Sequence, residues 1–517
     1  MLVSPLLRRP LPLAFLGAAA SAVVASPAFA NAGYDTTALV EAVTLEAVRA
    51  HQQEFQAFAD ASGGNRETSS DGYIDSVLYI SRLMTDAGYD VDLQIFPYIY
   101  FENLSPAALA QTSPESVEYT VDDPEGFVSS TYSGSGDVTA VVTPVDLVLP
   151  PAAAANTSTS GCEAEDFADF PEGDIALVQR GNCAFGLKAR NAQEAGAAGV
   201  IIFNEGQEGR LEAIGATLGE PGFTIPVVFA SFAIGEALAA GGVQARLVVD
   251  SVTESRISAN VIADSRVGRA DRTRVIGAHL DSVPEGPGIN DNGSGSAGIL
   301  EVALQVAALV EAEEMRVDNR LRFAWWGAEE VGLLGSEYYV DNLTEEELAE
   351  IELNLNFDMI GSPNYVRFIY DGDGSATEPA GPEGSAFIEW LFRDWFDSQG
   401  LASKPTQFSG RSDYGPFIEV GIPAGGLFTG AEGIKTEEEA EIYGGEAGIA
   451  YDPCYHEACD TFENNSDQGL SEMLDAVANA VGVFARGSLP VSREKRDGAR
   501  QASAEVETDY RGNLLAR

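Results

Sequence analysis

The segment LRFAWWGAEEVGLLGS, from Leu321 to Ser336, is an apolar stretch that ends in two tryptophans and runs directly into two glutamates. Its first half has the composition of a buried strand, and Glu329 and Glu330 follow the end of that strand. A charge in this position is costly unless it has a partner. In open α/β sheets, functional sites gather beyond the carboxyl ends of the strands. The segment therefore predicts a strand of an α/β sheet with a functional site at its carboxyl end.

Two further predicted strands end in the same way. Residues 275–278 form an apolar strand that leads into His279, and residues 353–357 form another that leads into Asp358. Histidine and carboxylate side chains suit zinc, with ligand distances of about 2.0–2.2 Å. The strand ends therefore predict a metal site at one edge of the sheet.

Two loops add candidate ligands. Asp291 lies in GINDNGSGSAG (288–298), a turn rich in Gly, Asn and Ser before an apolar helix predicted from Gly293 to Val310. His456 lies in AYDPCYHEACDTF (450–462). Two histidines and three carboxylates exceed the needs of one zinc ion and suit a pair of metals roughly 3.5–4 Å apart. The chain has only three histidines, and His51, in a helix predicted over 44–60, is interpreted as a packing or surface residue.

The four cysteines allow three disulfide pairings. Pairing of nearest neighbours is the simplest, and it joins Cys162 to Cys183 and Cys454 to Cys459. A cysteine zinc site is the alternative, but the sequence contains no CxxC motif. Disulfides persist outside the cytoplasm, so the pairing depends on secretion.

The composition indicates an acidic secreted protein. With 80 acidic and 30 basic residues, the net charge is −50, which repels phosphate and excludes nucleic acid as a partner. The first thirty residues contain two arginines, an apolar run and Ala28-Phe29-Ala30, which is typical of a secretory signal cleaved after Ala30. A membrane anchor is the alternative, but the apolar core is short and rich in alanine. We expect an extracellular or periplasmic protein with no membrane partner.

The sequence after the signal changes character twice. It opens with helical periodicity followed by alternating Val91, Leu93 and Ile95, turns into short β-rich pieces with Gly and Pro turns, and then returns to α/β patterning. The end is polar and rich in arginine, as in a disordered or processed tail. The predicted parts are the signal (1–30), an N-terminal α/β part (31–114), a β-rich insertion (115–253), a second α/β part (254–487) and the tail (488–517).

The insertion resembles the protease-associated (PA) domain. The similarity lies in residues 162–205, CEAEDFADFPEGDIALVQRGNCAFGLKARNAQEAGAAGVIIFNE, and in TIPVVFAS at 224–231. Within this segment, residues 175–178 and 200–203 are predicted strands, and residues 185–195 are a predicted helix. The resemblance implies an inserted β-rich PA domain.

The α/β parts resemble the secreted bacterial double-zinc aminopeptidases of metallopeptidase family 28. Five motifs in order carry the similarity: HLDS (279–282), DNGSG (291–295), WWGAEEVGLLGS (325–336), NFDMIG (356–361) and YDPCYHEACDT (451–461). The resemblance covers about residues 44–110 and 255–487. It implies the α/β zinc exopeptidase fold, with a mixed, mainly parallel central sheet flanked by helices.

The resemblance also implies a role for each candidate residue. The implied ligands of two zinc ions are His279, Asp291, Glu330, Asp358 and His456. Asp291 would bridge the ions, and Glu329 would be the general base. Asp281 would orient His279, and Tyr455 would donate its hydroxyl to the oxyanion. A cis peptide bond between Asp291 and Asn292 is implied as well.

The implied substrate is a peptide or protein with a free N-terminus. GRSDYGPF (410–417) resembles the substrate segment of the family, and Arg411 would help to hold the substrate carbonyl. Phe428 and Met359 would line an apolar pocket that favours Leu, Phe or Met as the first residue. The free α-amine would meet Glu329 and Asp358. We expect a monomer, and the sequence leaves calcium binding open.

Two other functions remain open at this point. Another zinc exopeptidase or a glutaminyl cyclase-like enzyme could use the same fold and similar ligands. A secreted binding protein without activity would use the PA domain alone, and a broken ligand set would favour it. The ligand set in this sequence is complete, which counts against the inactive binding protein, and the segments CYHEAC (454–459) and GRSDYGPF favour the aminopeptidase over the other enzymes on this fold.

Overall fold

A computed structural model describes residues 34–490, so the predicted signal segment and most of the predicted tail lie outside the described residues. Within residues 34–490 there is one 3-10 helix, Ala164–Phe167, and there are twelve α-helices: α1 (Thr37–Ala42), α2 (Leu45–Ala61), α3 (Asp71–Asp86), α4 (Phe185–Glu194), α5 (Phe232–Leu238), α6 (Gly293–Glu311), α7 (Leu334–Asp341), α8 (Glu345–Glu350), α9 (Ser385–Ser398), α10 (Gly415–Glu419), α11 (Glu437–Tyr443) and α12 (Asp467–Phe484). The same residues form fourteen strands: β1 (Asp90–Ser113), β2 (Val117–Tyr119), β3 (Phe127–Ser129), β4 (Gly136–Pro144), β5 (Ile175–Gln179), β6 (Gly199–Phe203), β7 (Val227–Ala230), β8 (Gln244–Asp264), β9 (Arg269–His279), β10 (Asn319–Trp326), β11 (Ile351–Phe357), β12 (Phe368–Tyr370), β13 (Lys404–Thr406) and β14 (Ala424–Phe428).

The central sheet has the strand order β13-β12-β14-β11-β9-β10-β8-β1. The four central strands, β14, β11, β9 and β10, pair in parallel. Antiparallel pairing occurs between β12 and β14, between β10 and β8, and between β8 and β1. The prediction of a mixed, mainly parallel sheet is confirmed, and its parallel centre brings the carboxyl ends of β9, β10 and β11 to one edge.

Helices cover both faces of this sheet, because the central strands carry apolar side chains on both faces. In β10, Leu321, Phe323 and Trp325 pack in the core formed with α2, α3, α6 and α12. Ala324 and Trp326 point to the other face, towards α7 and α10. Each large side chain buried in this way contributes roughly 1.5–3 kcal/mol. The result is a three-layer α/β/α domain.

The start of α6 fits closely against the end of β11. A Cβ atom at Gly295 would overlap the carbonyl oxygen of Phe357, so glycine is required there. The amide of Asn292 donates to that same carbonyl at 3.0 Å and accepts from the backbone N–H of Gly295 and Met359. By composition α6 is apolar enough to cross a membrane, but 67% of its apolar window is buried, as in a core helix. This packing brings Asp291, just before α6, to the carboxyl edge of the sheet.

A long two-stranded ribbon joins the sheet to the β-rich insertion. β1 and β8 pair antiparallel from Asp90↔Asp264 to Ser113↔Gln244, with irregularities near Asn103. One end of β8 pairs with β10, and the other pairs with β4. The predicted boundary at 253/254 thus falls inside one continuous strand, which physically couples the two parts of the chain.

In the insertion the sheet continues from β8 through β4-β5-β6-β7-β3, with apolar clusters on both faces. The strands and the helix predicted there form as β5, β6 and α4. A disulfide joins Cys162 to Cys183 within this part, and a second joins Cys454 to Cys459. Both are the nearest-neighbour pairs.

Candidate metal centre

Five of the predicted site residues meet at the carboxyl edge of the parallel strands. His279 ends β9, Glu330 lies four residues beyond β10, and Asp358 follows β11. Asp291 reaches them from the turn before α6, and His456 comes from the loop that contains the second disulfide. The parallel pairing of the strands therefore explains why residues far apart in the sequence form one cluster.

Asp291 lies between the two histidines. Its Oδ1 is 3.1 Å from His279 Nε2, and its Oδ2 is 3.3 Å from His456 Nε2. On one side, His279 Nε2 is also 3.2 Å from Asp358 Oδ1, and on the other, His456 Nε2 is 2.9 Å from Glu330 Oε2. Two groups of three donor atoms result, and the two groups share Asp291.

The cluster contains several buried carboxylates close together, and this arrangement shifts the pKa values of its members. Burial, and then the charge of Asp291, raises the pKa of Glu330 to about 7. Burial also raises the pKa of Glu329 well above its ordinary value, with a further contribution from Glu330 and Asp358. Burial would lower the pKa of His456, but bonds to Asp291 and Glu330 outweigh it and raise that pKa to about 11.

The donor set fits divalent cations. Glu330 Oε1 is buried without a hydrogen-bond partner, although a carboxylate oxygen buried in this way is costly. A cation between the donors would partner this oxygen and would relieve the repulsion that raises the pKa values of Glu329 and Glu330. Imidazole and carboxylate donors are those that zinc accepts.

Asp281 contacts the other site residues through its carboxylate. Its Oδ1 accepts from the backbone N–H of Glu329 at 3.2 Å, and its Oδ2 accepts from that of Glu330 at 3.3 Å. The same Oδ1 lies 3.7 Å from His279 Nδ1, and the backbone carbonyl of Asp281 lies 3.2 Å from that nitrogen. Asp281 thus orients the glutamate loop as well as lying beside the histidine ring.

The loop that carries His456 is tied to the loop that carries Asp291. The carboxylate of Asp460 accepts from the backbone N–H of Asn290 and of Asp291, both at 2.9 Å. Burial, together with the charge of Asp452, raises the pKa of Asp460 to about 8. The sequence analysis did not single out Asp460, because nothing in the quoted motif distinguishes it from the other acidic residues of the chain.

Two residues in GRSDYGPF were also missed as site residues. Ser412 donates to Asp358 Oδ2 at 2.6 Å, which fixes that carboxylate. Asp413 is fully buried near His279 and Asp358, and burial raises its pKa to about 7. Both residues directly follow Arg411 in the sequence, but only their burial and contacts distinguish them as site residues.

A pocket of about 250 Å³ opens beside the cluster. Phe428 and Met359 line it, together with Phe368 and Tyr370. At its rim, Arg411 donates from Nη1 to Glu432 at 2.6 Å and from Nη2 to the Tyr455 hydroxyl at 3.2 Å. All the predicted substrate residues therefore lie around one cavity next to the histidines.

Two predicted local features are present. The peptide bond between Asp291 and Asn292 is cis. His51 is buried, with Nδ1 2.8 Å from the Tyr79 hydroxyl and Nε2 3.2 Å from Glu301, so it packs between helices and lies apart from the cluster.

An α/β sheet with histidines and carboxylates clustered at its carboxyl edge is typical of metal-dependent hydrolases. Residues 260–481 match the model of peptidase family M28, and residues 142–238 match that of the PA domain. An aminopeptidase of Pseudomonas aeruginosa (strain UCBPP-PA14) is 50% identical over 429 residues, which cover 82% of this chain and 78% of that protein. The chain belongs to peptidase family M28 and is a metallo-aminopeptidase with an inserted PA domain.

Other similar proteins agree with this membership. Leucine aminopeptidase 2 of Trichophyton rubrum is 38% identical over 466 residues, covering 89% of this chain and 88% of that protein. The structure of an aminopeptidase from Aneurinibacillus sp. strain AM-1 matches with a TM-score of 0.65 and 27% identity, covering 89% of this chain and 98% of that one. A zinc aminopeptidase from Bacillus subtilis matches with a TM-score of 0.55 and 26% identity over 88% of this chain and 98% of its own.

Proposed function

We propose that this protein is a secreted zinc aminopeptidase that uses two zinc ions and prefers large apolar first residues. One observation carries the proposal: the two carboxylate oxygens of Asp291 face two different histidines, His279 and His456. A carboxylate between two donor groups is the arrangement that a bridging ligand of a metal pair requires.

His279, Asp358 and Asp291 would hold one zinc ion, and His456, Glu330 and Asp291 the other. When bound, zinc supplies a Lewis acid that polarises a carbonyl and lowers the pKa of water. The separation of the donors into two groups that share Asp291 supports this assignment.

Glu329 is the general base of the proposal. It lines the pocket beside the donor groups, and burial keeps its pKa raised, which suits a group that must both accept and return a proton. Glu329 takes a proton from the attacking water and delivers it to the nitrogen of the departing peptide. Asp281 positions it by accepting the backbone N–H of Glu329.

Substrate selection follows from the pocket. Its aromatic and thioether lining around Met359, Phe368 and Phe428 favours Leu, Phe or Met side chains. Asp358 and Glu329 lie at the same cavity and would attract the positively charged α-amine, which limits cleavage to the first residue. Tyr455, held by Arg411, would donate its hydroxyl to the oxyanion.

A panel of substrates tests the proposal. Leu-, Phe- and Met-nitroanilides should be hydrolysed with kcat/KM at least roughly tenfold above those of the Gly and Asp compounds, since a well-filled apolar pocket provides ~1–3 kcal/mol. N-acetylated versions of the same compounds should resist hydrolysis. Release of nitroaniline measures each rate.

The same panel separates the rival chemistry. A peptide with N-terminal glutamine would be cyclised by a glutaminyl cyclase-like enzyme and shortened by an aminopeptidase, and mass spectrometry distinguishes the two products. Cleavage of N-acetylated peptides, or cyclisation without release of the first residue, would contradict the proposal.

The disulfide beside His456 should affect catalysis more than stability. Replacing both Cys454 and Cys459 by serine frees the turn that presents His456 and Tyr455, and misplacement by about 1 Å can reduce activity roughly a hundredfold. The short loop predicts a loss of only about 2 kcal/mol in the free energy of unfolding. Leu-nitroanilide kinetics and urea denaturation measure the two effects.

The matched control removes the other disulfide. Cys162→Ser with Cys183→Ser opens a longer loop and should cost more stability, about 3 kcal/mol, yet leave Leu-nitroanilide hydrolysis near the wild-type rate. If the Cys454 and Cys459 variant kept wild-type kcat/KM, the disulfide would have no part in holding the turn.

Secretion and the domain limits belong to the same proposal. Two disulfides in the described residues suit an oxidising compartment, which supports export after cleavage near Ala30. We propose that residues 115–253 form the inserted domain and that residues 31–114 and 254–487 form the peptidase domain. We also propose that the protein acts as a monomer on peptides with a free N-terminus.

A further inference from the structure

Two cavities meet at Glu329 and Glu330. The pocket of about 250 Å³ described above lies on one side of the pair and is lined by peptidase residues alone. A cleft of about 460 Å³ lies on the other side and is lined by residues of both the peptidase and the insertion. The pair of glutamates is the junction between the two.

One wall of the cleft belongs to the peptidase. It is formed by the turn that follows the glutamates, Val331 to Leu334, and by Gly415 and Pro416 at the start of α10. Leu333 has φ of 61°, a left-handed conformation that is strained for a leucine and is typical of functional turns. This wall continues directly from the glutamate loop.

The insertion forms the opposite wall. Thr131, Tyr132, Thr217 and Gly219 line it, and Ile99 and Phe101 of β1 lie between the walls.

This second wall is held in place by hydrogen bonds and ring contacts. The backbone N–H of Leu218 donates to the carbonyl of Thr131 at 3.1 Å, and the N–H of Gly219 donates to Thr217 Oγ1 at 3.0 Å. The Tyr132 ring packs edge-on against Phe101 with centroids 5.9 Å apart. These contacts join the two segments of the insertion that form the wall and tie one of them to β1.

The cleft is negatively charged. Besides Glu329 and Glu330, which belong to the metal centre, its described lining includes the carboxylates of Glu337 and Glu419, and it includes no lysine, arginine or histidine. Tyr132, Val331 and Pro416 add apolar groups to the lining, and Thr131 and Thr217 add hydroxyl groups. An extended peptide with basic or apolar residues matches this combination.

We infer that the cleft binds the part of the peptide that follows the scissile bond, so that the PA domain forms half of the substrate site. The inference rests on the proposed function, because a first side chain in the smaller pocket puts the scissile bond at Glu329 and directs the rest of the chain into the cleft. The favoured substrates are then peptides of several residues with basic or apolar residues after the first.

The test compares a pentapeptide with a dipeptide that has the same first residue, leucine. In the wild-type protein, the ratio of kcat/KM for the pentapeptide to that for the dipeptide should be roughly ten or more, since tenfold corresponds to only ~1.4 kcal/mol of added binding. Tyr132→Ala, which removes a ring from the wall, should lower this ratio about fivefold. Thr217→Trp, which fills the cleft from the insertion side, should lower it as well.

Leu211→Ala is the matched control. Leu211 is an exposed apolar residue of the insertion outside the cleft, at 52% exposure, and its variant should keep the wild-type ratio. The kcat/KM of a pentapeptide with arginine at the second and third positions should be higher than that of the same peptide with glutamate there. Added salt should reduce this difference in kcat/KM.

Three outcomes would overturn the inference. A wild-type ratio near one would show that residues beyond the scissile bond gain nothing from the cleft. If Tyr132→Ala and Thr217→Trp both kept the wild-type ratio of pentapeptide to dipeptide kcat/KM, the insertion would take no part in binding the peptide. A wild-type protein that releases no first residue from any substrate would overturn the proposed function, and this inference with it.

Discussion

Replacing Glu329 by glutamine should lower kcat for Leu-nitroanilide by a factor of roughly 10²–10⁴ while the bound metal remains. The amide keeps the size of the side chain but accepts no proton from water. The backbone N–H that donates to Asp281 is unchanged, so the loop should stay in place. Steady-state kinetics measure the loss, and elemental analysis of the dialysed protein measures the metal.

Two further variants test whether Glu329 acts as the base and Glu330 as the metal ligand. Glu346→Gln changes the same residue type on the exposed surface of α8 and should leave both activity and metal content at wild-type values. Glu330→Gln should reduce metal content, because Glu330 Oε2 lies 2.9 Å from His456 Nε2 within one donor group. Loss of metal in Glu329→Gln, with metal kept in Glu330→Gln, would show that the two glutamates have the opposite roles.

The residues at the centre of the site could be predicted, because parallel pairing brings the carboxyl ends of their strands together. Three buried strands lead into His279, Glu330 and Asp358, and parallel pairing of the strands places these residues at one edge. The apolar runs that mark β9, β10 and β11 are strong signals, since strands covered on both faces are nearly continuous in hydrophobicity. The ends of β10 and β11 agree with the predicted strands to within two residues, whereas β9 begins six residues before the predicted strand at 275–278.

The ribbon of β1 and β8 could not be predicted in the same way. β1 contains Pro97 and several exposed polar residues, which interrupt the alternation that identifies a strand. Its length comes from pairing with a segment more than a hundred residues away, and a local pattern does not reveal such pairing. The cleft depends on this ribbon, because Ile99 and Phe101 lie in it.

Asp460 and Asp413 show a second limit of sequence reasoning. Each lies in a loop without periodicity, among 80 acidic residues that look alike in the sequence. What distinguishes them is burial and contact: Asp460 accepts two backbone N–H groups, and Asp413 is enclosed near His279. Both properties arise only after the chain has folded.

Replacing Asp291 by asparagine should remove both metal ions and reduce activity by roughly a thousandfold or more, since each tenfold loss corresponds to ~1.36 kcal/mol of transition-state stabilisation and a metal ion supplies several. Asp291 belongs to both donor groups of the proposed metal pair, so its loss affects both, whereas Asp358 and His456 each belong to only one group. The zinc content measured by elemental analysis should fall from about two ions per chain to fewer than one.

Chelation of the wild-type protein provides the reference for this variant. The chelated wild type should lose activity and regain it when zinc is added back, whereas Asp291→Asn should stay inactive at the same zinc concentration. Asp397→Asn makes the same change on the exposed end of α9 and should behave as the wild type. The chelated wild type and Asp291→Asn should have similar thermal unfolding midpoints, because both lack the stabilisation that bound metal provides.

The number of zinc ions left in Asp291→Asn decides how the pair is built. Two retained ions would mean that His279 with Asp358, and His456 with Glu330, bind without a shared ligand, and the bridging role would be wrong. One retained ion with partial activity would mean that the two sites fill independently. Loss of both ions together is the outcome that follows from a single carboxylate with one oxygen 3.1 Å from His279 and the other 3.3 Å from His456.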